Sequence, residues 1–307
     1  MVIQQLEYIV AVDRFRHFAK AAEECNVSQP TLSAMIQKLE QELEVKIFDR
    51  EKHPVEPTEI GRKIILQAIT TLNDFNRVYE IVHSEVNQLS GKLQIGIIPT
   101  ISAYFVPDFI AQFKQLYPEV ELSIIEAGTA DLSGKIQNGS IDMGIISFPG
   151  DLTELFYIPL YKEKFVAYFS EKSKINTDAL CLKDLPKNKL WVLRDGHCEQ
   201  RSLINACKQT EFGENSYEAG SIETLIRIVE KNNGYTIIPE LHTTLLSDEQ
   251  KANVRNIAEA SAEREVSIAI RKDYIKERML NAVVDTVKKI IPMHMLNPKI
   301  VKYAVRL

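Results

Sequence analysis

Cysteine, tryptophan and long hydrophobic runs are scarce in this chain of 307 residues. Four Cys are too few for a disulfide-dense secreted scaffold, and 12 Gly exclude a collagen-like repeat. The longest uncharged run, Leu93 to Pro107, contains two Pro and stops at Asp108, short of the about 18 residues that a membrane helix needs. Met1 to Asp13 has no basic start typical of a secretory signal. These absences predict a cytoplasmic protein with no membrane partner.

Positive charge is also in short supply. The chain has a net charge of -5, and residues 1–90 carry 10 Lys and Arg against 14 Asp and Glu. As an average, this charge argues weakly against a nucleic-acid partner. However, Val27 to Leu39 contains Lys38 and no acid. Because binding depends on where charge lies, the average does not exclude DNA.

The first 60 residues are predicted to form a winged helix-turn-helix. An apolar stripe from Leu6 to Ala22 predicts a helix that ends near Asn26, a residue suited to a turn. Ser28 is suited to an N-cap, and Pro30 is tolerated in a first helical turn. A second helix is therefore predicted from Gln29 to Leu43. The Pro-punctuated stretch from Lys46 to Pro57 is β-like and predicts a wing.

A long helix is predicted from Thr58 to Leu89, because apolar residues recur there at steps of three and four. A helix of this length exceeds the average in globular proteins. Its apolar seam needs a partner, and a second copy of the same helix is the simplest one. The alternative is one long helix packed on its own domain.

Strands and helices alternate after Gly91, which predicts an α/β fold with a largely parallel sheet. Two α/β subdomains with a cleft between them would place a ligand at the carboxyl ends of the strands. The predicted strands are Lys92 to Ile98, Val120 to Ile125, Met143 to Ile146, Lys164 to Phe169, Leu190 to Leu193, Tyr235 to Ile238 and Val266 to Ile270. The predicted helices are Val106 to Leu116, Leu132 to Gln137, Arg201 to Lys208, Glu223 to Lys231 and Tyr274 to Ile291.

The start of the second helix has side chains suited to reading DNA. Hydroxyl groups can donate to phosphates, amides can reach base edges, and cationic groups add phosphate contacts. The candidate DNA-binding residues are Ser28, Gln29, Pro30, Thr31, Ser33, Gln37, Lys38 and, at the edge of the wing, Arg50. An ordinary capped helix is the alternative interpretation.

The same segment resembles the LysR-type transcriptional regulators. The matching motifs are Phe18-Ala19-Lys20-Ala21-Ala22, Val27-Ser28-Gln29-Pro30-Thr31-Leu32-Ser33, Ile36-Gln37-Lys38-Leu39-Glu40, Phe48-Asp49-Arg50 and Pro57-Thr58-Glu59-Ile60-Gly61. The resemblance implies a winged helix-turn-helix in 1–58, a linker helix for dimerisation in 59–89 and a periplasmic-binding-protein-like regulatory domain of two Rossmann-like subdomains in 90–307. Subdomain I would comprise about 90–162 and 265–307, and subdomain II about 163–264. It also implies homotetramers that bind paired half-sites in double-stranded promoter DNA and act with RNA polymerase.

Two of the four cysteines, Cys198 and Cys207, are nine residues apart, and His197 precedes the first. Cys198 follows a strand-like segment and a Gly turn at the predicted start of a helix. The positive end of a helix dipole and an adjacent imidazole both favour the thiolate, the form that attacks peroxide. Cys25 and Cys181 are expected to be structural.

Spacing limits what the cysteine pair can do. In one continuous helix Cys198 and Cys207 would be separated by roughly 13 Å along the axis, whereas a disulfide needs Cα atoms within about 7 Å. A bond between them would therefore require the helix to unwind and would act as a conformational switch. Two unrelated buried thiols are an alternative. A zinc site using His197, Cys198 and Cys207 is a weaker one, because it lacks a paired-Cys motif and a fourth ligand.

Within the LysR-type regulators, Asp195-Gly196-His197-Cys198 and Cys207 resemble the OxyR group of peroxide-sensing activators. The resemblance implies that Cys198 is peroxidatic and that Cys207 resolves it to a reversible disulfide reset by a thiol reductant. Gly96 to Thr100 and Glu126 to Thr129 match segments of the peroxide pocket. The same loops bind the effector in other LysR-type regulators, so Thr100 and Thr129 alone do not distinguish a peroxide sensor from a metabolite sensor. The pocket residues implied are His197, Thr100, Thr129 and Arg264.

The expected function is activation of oxidative-stress genes in response to hydrogen peroxide. A LysR-type regulator that responds to a metabolite in the cleft is the main alternative. A thiol peroxidase is less favoured, because a catalyst needs no DNA-reading domain. No enzyme activity, cofactor or metal ion is expected.

Overall fold

The computed structural model describes residues 1–84, 89–148, 154–173, 179–181, 189–193, 216–217, 221–258, 262–272, 274, 276–302 and 304–306. The chain forms two compact units. The first comprises Met1–Asn87 and Asn138–Ser140, and the second comprises Gln88–Gln137 and Ile141–Leu307. None of the helices in these ranges is long and apolar enough to cross a membrane.

The first unit is the predicted winged helix-turn-helix followed by a long helix. Its elements are α1 (Ile3–Phe15), α2 (Phe18–Glu24), α3 (Gln29–Glu42), β1 (Phe48–Asp49), β2 (Glu56–Pro57) and α4 (Glu59–Ser84). Strands β1 and β2 pair in antiparallel orientation to form the wing. The fully buried side chains Ile9, Val12, Leu32, Ile36 and Leu39 form the centre of its core.

The turn between α2 and α3 follows the sequence prediction closely. Asn26 has a φ of 54°, in the left-handed region that ends a helix, and Asn tolerates this region better than most residues. The Ser28 hydroxyl caps α3 by accepting a hydrogen bond from the Thr31 amide at 3.3 Å. Pro30 lies in the first turn of α3. The predicted turn and capping residues are confirmed.

The predicted first helix is in fact two helices. Arg16 has a φ of 51° and ends α1, and the His17 side chain accepts a hydrogen bond from the Lys20 amide to cap α2. The apolar stripe continues across this break, because both helices pack on the same core. Periodicity alone therefore did not reveal the break.

The long helix α4 is observed from Glu59 to Ser84, and residues 85–88 lie outside the described part of the chain. Ile65 and Ala68 are buried in the core of the first unit. Other apolar side chains on α4 stay exposed, namely Ile60, Leu66, Phe75 and Val78. A part of the helix surface is therefore apolar and faces solvent in the single chain.

The second unit begins with an α/β segment whose strands run parallel. Its elements are β3 (Gly91–Ile97), α5 (Pro99–Leu116), β4 (Val120–Glu126), α6 (Thr129–Gln137) and β5 (Met143–Ser147). Strand β3 pairs with β4 on one side and with β5 on the other. Helix α5 begins earlier than predicted, because Pro99 occupies its first turn.

The remaining elements follow a long strand, β6 (Leu155–Phe169), along the chain. They are β7 (Ala179–Leu180), β8 (Val192–Leu193), β9 (Ser216–Tyr217), α7 (Ile222–Asn232), β10 (Tyr235–Pro239), the 3-10 turn Glu240–Leu245, α8 (Asp248–Lys251), β11 (Val254–Ile257), β12 (Glu263–Arg271), α9 (Glu277–Ile290) and α10 (Pro298–Lys302). The helix predicted from Arg201 to Lys208 lies outside the described residues.

The sheet is mixed, with the strand order β4-β3-β5-β12-β6-β11-β7 and β10 beside β6. Strand β12 runs antiparallel to both β5 and β6, and β10 also runs antiparallel to β6. The prediction of a largely parallel sheet is therefore wrong. The alternation of strands and helices identified the parallel part, but β12 runs antiparallel to its two neighbours, an arrangement that needs no crossover helix and that alternation does not reveal.

The far end of β6 is buried on both faces. Phe165, Ala167 and Phe169 belong to one hydrophobic cluster, and Val166 and Tyr168 belong to another that includes α7. Alternate residues of a strand point to opposite faces, so this end of the sheet is covered on both sides. Such covering is typical of the predicted Rossmann-like subdomains.

Candidate functional site

The predicted DNA-binding residues lie along the exposed side of α3. Six of the eight are exposed at the amino end and along the helix, namely Ser28, Gln29, Pro30, Thr31, Gln37 and Lys38. Ser33 is half-buried, and Arg50 is exposed at the end of the wing strand β1. The hydroxyls of Ser28 and Thr31 lie 2.8 Å apart. The helix therefore presents hydroxyl, amide and ammonium groups on one surface.

Arg50 joins the wing to α3. Its Nη1 donates a hydrogen bond to the Ser33 hydroxyl at 3.1 Å, and its Nη2 donates to Oε2 of Glu40 at 3.2 Å. Glu40 is buried, and its other carboxylate oxygen accepts the backbone amides of Ile47 and Phe48. Glu40 thus anchors both the backbone at the start of the wing strand β1 and the Arg50 side chain. Sequence reasoning did not identify Glu40.

In the second unit, Thr100 and Arg264 come together although they are far apart in sequence. Nη1 of Arg264 donates to the Thr100 hydroxyl at 2.9 Å, and Nη2 donates to the Thr100 carbonyl at 3.2 Å. Both residues are buried, with 5% and 4% of their surface exposed. Arg264 lies near the start of β12, which begins earlier than the predicted strand at Val266, and Thr100 lies in the first turn of α5.

The Arg264 guanidinium is held by a buried carboxylate. Its Nε donates to Oε2 of Glu163 at 2.9 Å, and its Nη2 lies 2.8 Å from the same oxygen. The Tyr104 hydroxyl donates to that oxygen at 2.9 Å, and the Leu241 amide donates to Oε1 at 2.9 Å. Tyr161 adds its hydroxyl 3.0 Å from that of Tyr104. We call the residues Thr100, Tyr104, Tyr161, Glu163 and Arg264 the arginine cluster.

Burial controls the charge states in the arginine cluster. It raises the pKa of the Glu163 carboxyl, while Arg264 and the hydrogen bonds from Leu241 and Tyr104 oppose that rise. It also raises the pKa of Tyr104 well above its ordinary value, and Glu163 adds to this rise. Tyr104 therefore remains a neutral hydroxyl donor beside a compensated ion pair.

Thr129, like Thr100, lies just beyond the carboxyl end of a parallel strand. It begins α6 just after β4, and its carbonyl accepts a hydrogen bond from the Ser133 hydroxyl at 2.8 Å. Strands β3 and β4 are parallel neighbours, with Ile97 opposite Glu126. The segments that carry the two threonines therefore leave the sheet at the same end, as predicted for a ligand site.

Another buried polar residue, His242, lies on the 3-10 turn next to Leu241. Only 1% of its surface is exposed, and neither ring nitrogen has a hydrogen-bond partner among the described residues. Its Nε2 lies 3.8 Å from a carboxylate oxygen of Glu223 on α7. Burial lowers the pKa of His242, with Glu223 opposing and Arg264 reinforcing the shift.

The predicted redox residues His197, Cys198 and Cys207 lie outside the described residues. Cys25 and Cys181 are free thiols and half-buried. Cys25 packs against the core of the first unit, and burial raises its pKa, which disfavours the reactive thiolate at neutral pH. Among the residues that the structure describes, no group of His, Cys, Asp and Glu could hold a metal ion.

Sequence reasoning missed Tyr104, Tyr161 and Glu163. Glu163 lies between Lys162 and Lys164, which resembles an exposed charged segment. In the strand, however, Tyr161, Glu163 and Phe165 are buried, and the two lysines are exposed. A period of two with an acid on the apolar face was the available signal.

Each of the two units contains a match to a known protein family. Residues 3–62 match the family described as "Bacterial regulatory helix-turn-helix protein, lysR family", and residues 87–290 match the "LysR substrate binding domain". The second match alone covers more than half of the chain.

Individual relatives match over most of their lengths. A "Hydrogen peroxide-inducible genes activator" of Haemophilus influenzae is 33% identical over 301 residues, which cover 95% of this chain and 99% of that protein. The "DNA-binding transcriptional dual regulator OxyR" of Escherichia coli is 34% identical over 243 residues, covering 78% of this chain and 80% of the relative.

A solved structure shows the same arrangement of elements. The chain resembles a full-length OxyR variant from Pseudomonas aeruginosa with a TM-score of 0.80 at 29% identity. The alignment covers 97% of this chain and 98% of that chain.

Proposed function

Because the chain belongs to the LysR family of bacterial transcriptional regulators, we propose that it is an activator that senses hydrogen peroxide through Cys198 and Cys207. Relatives named as peroxide-responsive activators support this function. The observation that carries it is the buried hydrogen bond between Thr100 and Arg264. This hydrogen bond joins two of the four predicted pocket residues from distant parts of the sequence. It lies at the end of the strands where a ligand is expected.

The proposed chemistry begins at Cys198. Its thiolate attacks one oxygen of hydrogen peroxide, the O–O bond breaks, and the departing hydroxide takes up a proton to become water. The resulting sulfenic acid condenses with the Cys207 thiol, which forms the disulfide and releases a second water. A dithiol reductant then restores both thiols and is itself oxidised. His197, Thr100, Thr129 and Arg264 are the proposed pocket residues.

In the first unit, the proposed DNA-binding residues are those on the exposed side of α3 together with Arg50. Because Arg50 is already bound to Ser33 and Glu40, we assign it a double role, in which it fixes the wing and contributes positive charge near the phosphates. We propose that α4 mediates assembly into a homotetramer, because its exposed apolar side chains need a partner. Promoter DNA, RNA polymerase and a thiol reductant are the other proposed partners.

Mass spectrometry of thiol oxidation tests this function. Full-length protein is treated with one equivalent of hydrogen peroxide, its remaining thiols are alkylated, and its peptides are mapped without reduction. We expect a Cys198–Cys207 cross-link in the wild type and in the double variant Cys25→Ser/Cys181→Ser, which is the matched control. A Cys198→Ser variant should lose the cross-link.

An unreacted Cys198 alongside oxidised Cys25 or Cys181 would contradict the proposal. It would favour a LysR-type regulator that responds to a metabolite.

A further inference from the structure

Glu163 is an acidic residue in the interior of the second unit. Only 1% of its surface is exposed, and it lies in β6 between the buried side chains of Tyr161 and Phe165. Burial of a carboxylate is strongly unfavourable unless it is paired and hydrogen-bonded. Glu163 meets this condition through Arg264, Tyr104 and the Leu241 amide.

The geometry of these contacts fixes the direction of the Arg264 guanidinium. Glu163 engages the Nε and Nη2 side of the group, and Thr100 accepts from Nη1. The Phe165 ring covers the guanidinium, with 5.6 Å between the guanidinium carbon and the ring centroid. The planar guanidinium is therefore held on two edges and one face, which leaves little freedom for rotation.

We propose that Glu163 is a positioning residue for peroxide sensing, which holds Arg264 against Thr100 so that both present a fixed polar surface to the peroxide. This inference rests on the proposed function. Tyr104 completes the arrangement, because its hydroxyl donates to Glu163 and accepts from Nη2 of Arg264 at 3.2 Å. Without the carboxylate, the guanidinium loses the partner that sets its orientation and compensates its buried charge.

If the ion pair between Glu163 and Arg264 were purely structural, substitution of Glu163 would lower thermal stability, but the folded protein would react with peroxide at the wild-type rate. A positioning residue affects the rate of reaction with peroxide in the folded protein. Its substitution does not change the rate of reaction with a thiol reagent that needs no polar pocket, such as iodoacetamide.

The test uses full-length Glu163→Gln, which keeps the side-chain shape and removes the charge. Glu263→Gln is the matched control, because Glu263 is on β12 beside Arg264 but is exposed and paired with Lys162. The second-order rate constants of Cys198 with hydrogen peroxide and with iodoacetamide are measured by quenching each reaction at set times and quantifying unreacted Cys198 by mass spectrometry. Folding is checked by circular dichroism. A milder variant, Tyr104→Phe, is assayed in parallel in case Glu163→Gln does not fold.

We expect Glu163→Gln to lower the peroxide rate constant about tenfold or more, since small misplacement of a binding group can have an effect of this size. Its iodoacetamide rate constant should stay within about twofold of the wild type, and Glu263→Gln should match the wild type with both reagents. Tyr104→Phe should show a smaller loss that is also confined to peroxide.

If folded Glu163→Gln reacts with peroxide at the wild-type rate, this inference is wrong and the proposed function still stands. The same conclusion follows if its rate constants with peroxide and with iodoacetamide fall by the same factor. If Glu163→Gln does not fold, wild-type peroxide rates in Tyr104→Phe would overturn it in the same way. If Cys198 of the wild type does not react with peroxide, the proposed function fails, and this inference fails with it.

Discussion

At the scale of single residues, burial gives the polar side chains of this protein their roles. The proposal of Thr100 and Arg264 as pocket residues comes from a family resemblance, and the sequence did not show what holds them. Glu163 and Tyr104, which contact Arg264 directly, lie in segments of ordinary composition. Their importance depends on a contact between strands and helices far apart in sequence. The alternation along β6 indicates that Glu163 is buried, but no local pattern of the sequence shows which residues it contacts.

His242 gives the stability of the protein a predictable dependence on pH. Burial lowers its pKa below the ordinary value of 6.5 in the folded protein. As pH falls below about 6.5, the unfolded chain therefore binds a proton at His242 that the folded chain does not, and stability decreases.

We expect the apparent unfolding temperature to fall between pH 7.5 and 5.5, and we expect His242→Leu to reduce this fall. Thermal unfolding monitored by dye binding measures both. His294→Leu is the control, because His294 is exposed, and its pH dependence should match the wild type. Equal pH dependence in His242→Leu and the wild type would refute the assignment.

At the scale of elements, local signals predicted the first unit best. The turn at Asn26, the cap at Ser28 and the Pro-punctuated wing all appear where the sequence indicated. These features depend on the conformational preferences of a few adjacent residues. The break at Arg16 was missed, because the apolar stripe continues through it. The pairing of β6 with β12 was missed for a related reason, since strand pairing across about 100 residues leaves no local signal.

Lys38 on α3 provides a test of the proposed DNA contact. It is exposed, and its ammonium group suits a phosphate rather than a base edge. We expect Lys38→Ala to weaken binding to selected and unrelated DNA by a similar factor and to lower the slope of log affinity against log salt by about one. Fluorescence anisotropy at several salt concentrations, with a fragment selected in vitro by the full-length protein, measures this effect.

Lys92→Ala removes the same charge from an exposed position in the second unit and serves as the control. Its affinity and salt slope should equal those of the wild type. An unchanged slope in Lys38→Ala would show that Lys38 does not contact a phosphate.

At the scale of the whole molecule, the length and the change of pattern near Gly91 predicted a helical unit followed by an α/β unit, and the resemblance to LysR-type regulators implied that the first binds DNA and the second regulates it. The family matches cover the same two parts of the chain. The overall charge of -5 carried little information about DNA binding. The relevant feature is local, because Val27 to Leu39 contains no acidic residue and its polar side chains lie on the exposed side of α3.

The central claim is that oxidation of Cys198 in the regulatory unit changes how the first unit binds DNA. Footprinting of the full-length protein on its selected DNA fragment, with and without one equivalent of hydrogen peroxide, tests it most directly. We predict that peroxide changes the protected region, that a dithiol reductant restores it, and that Cys198→Ser shows the reduced pattern in both conditions. A peroxide-dependent change of the footprint in Cys198→Ser would contradict the account.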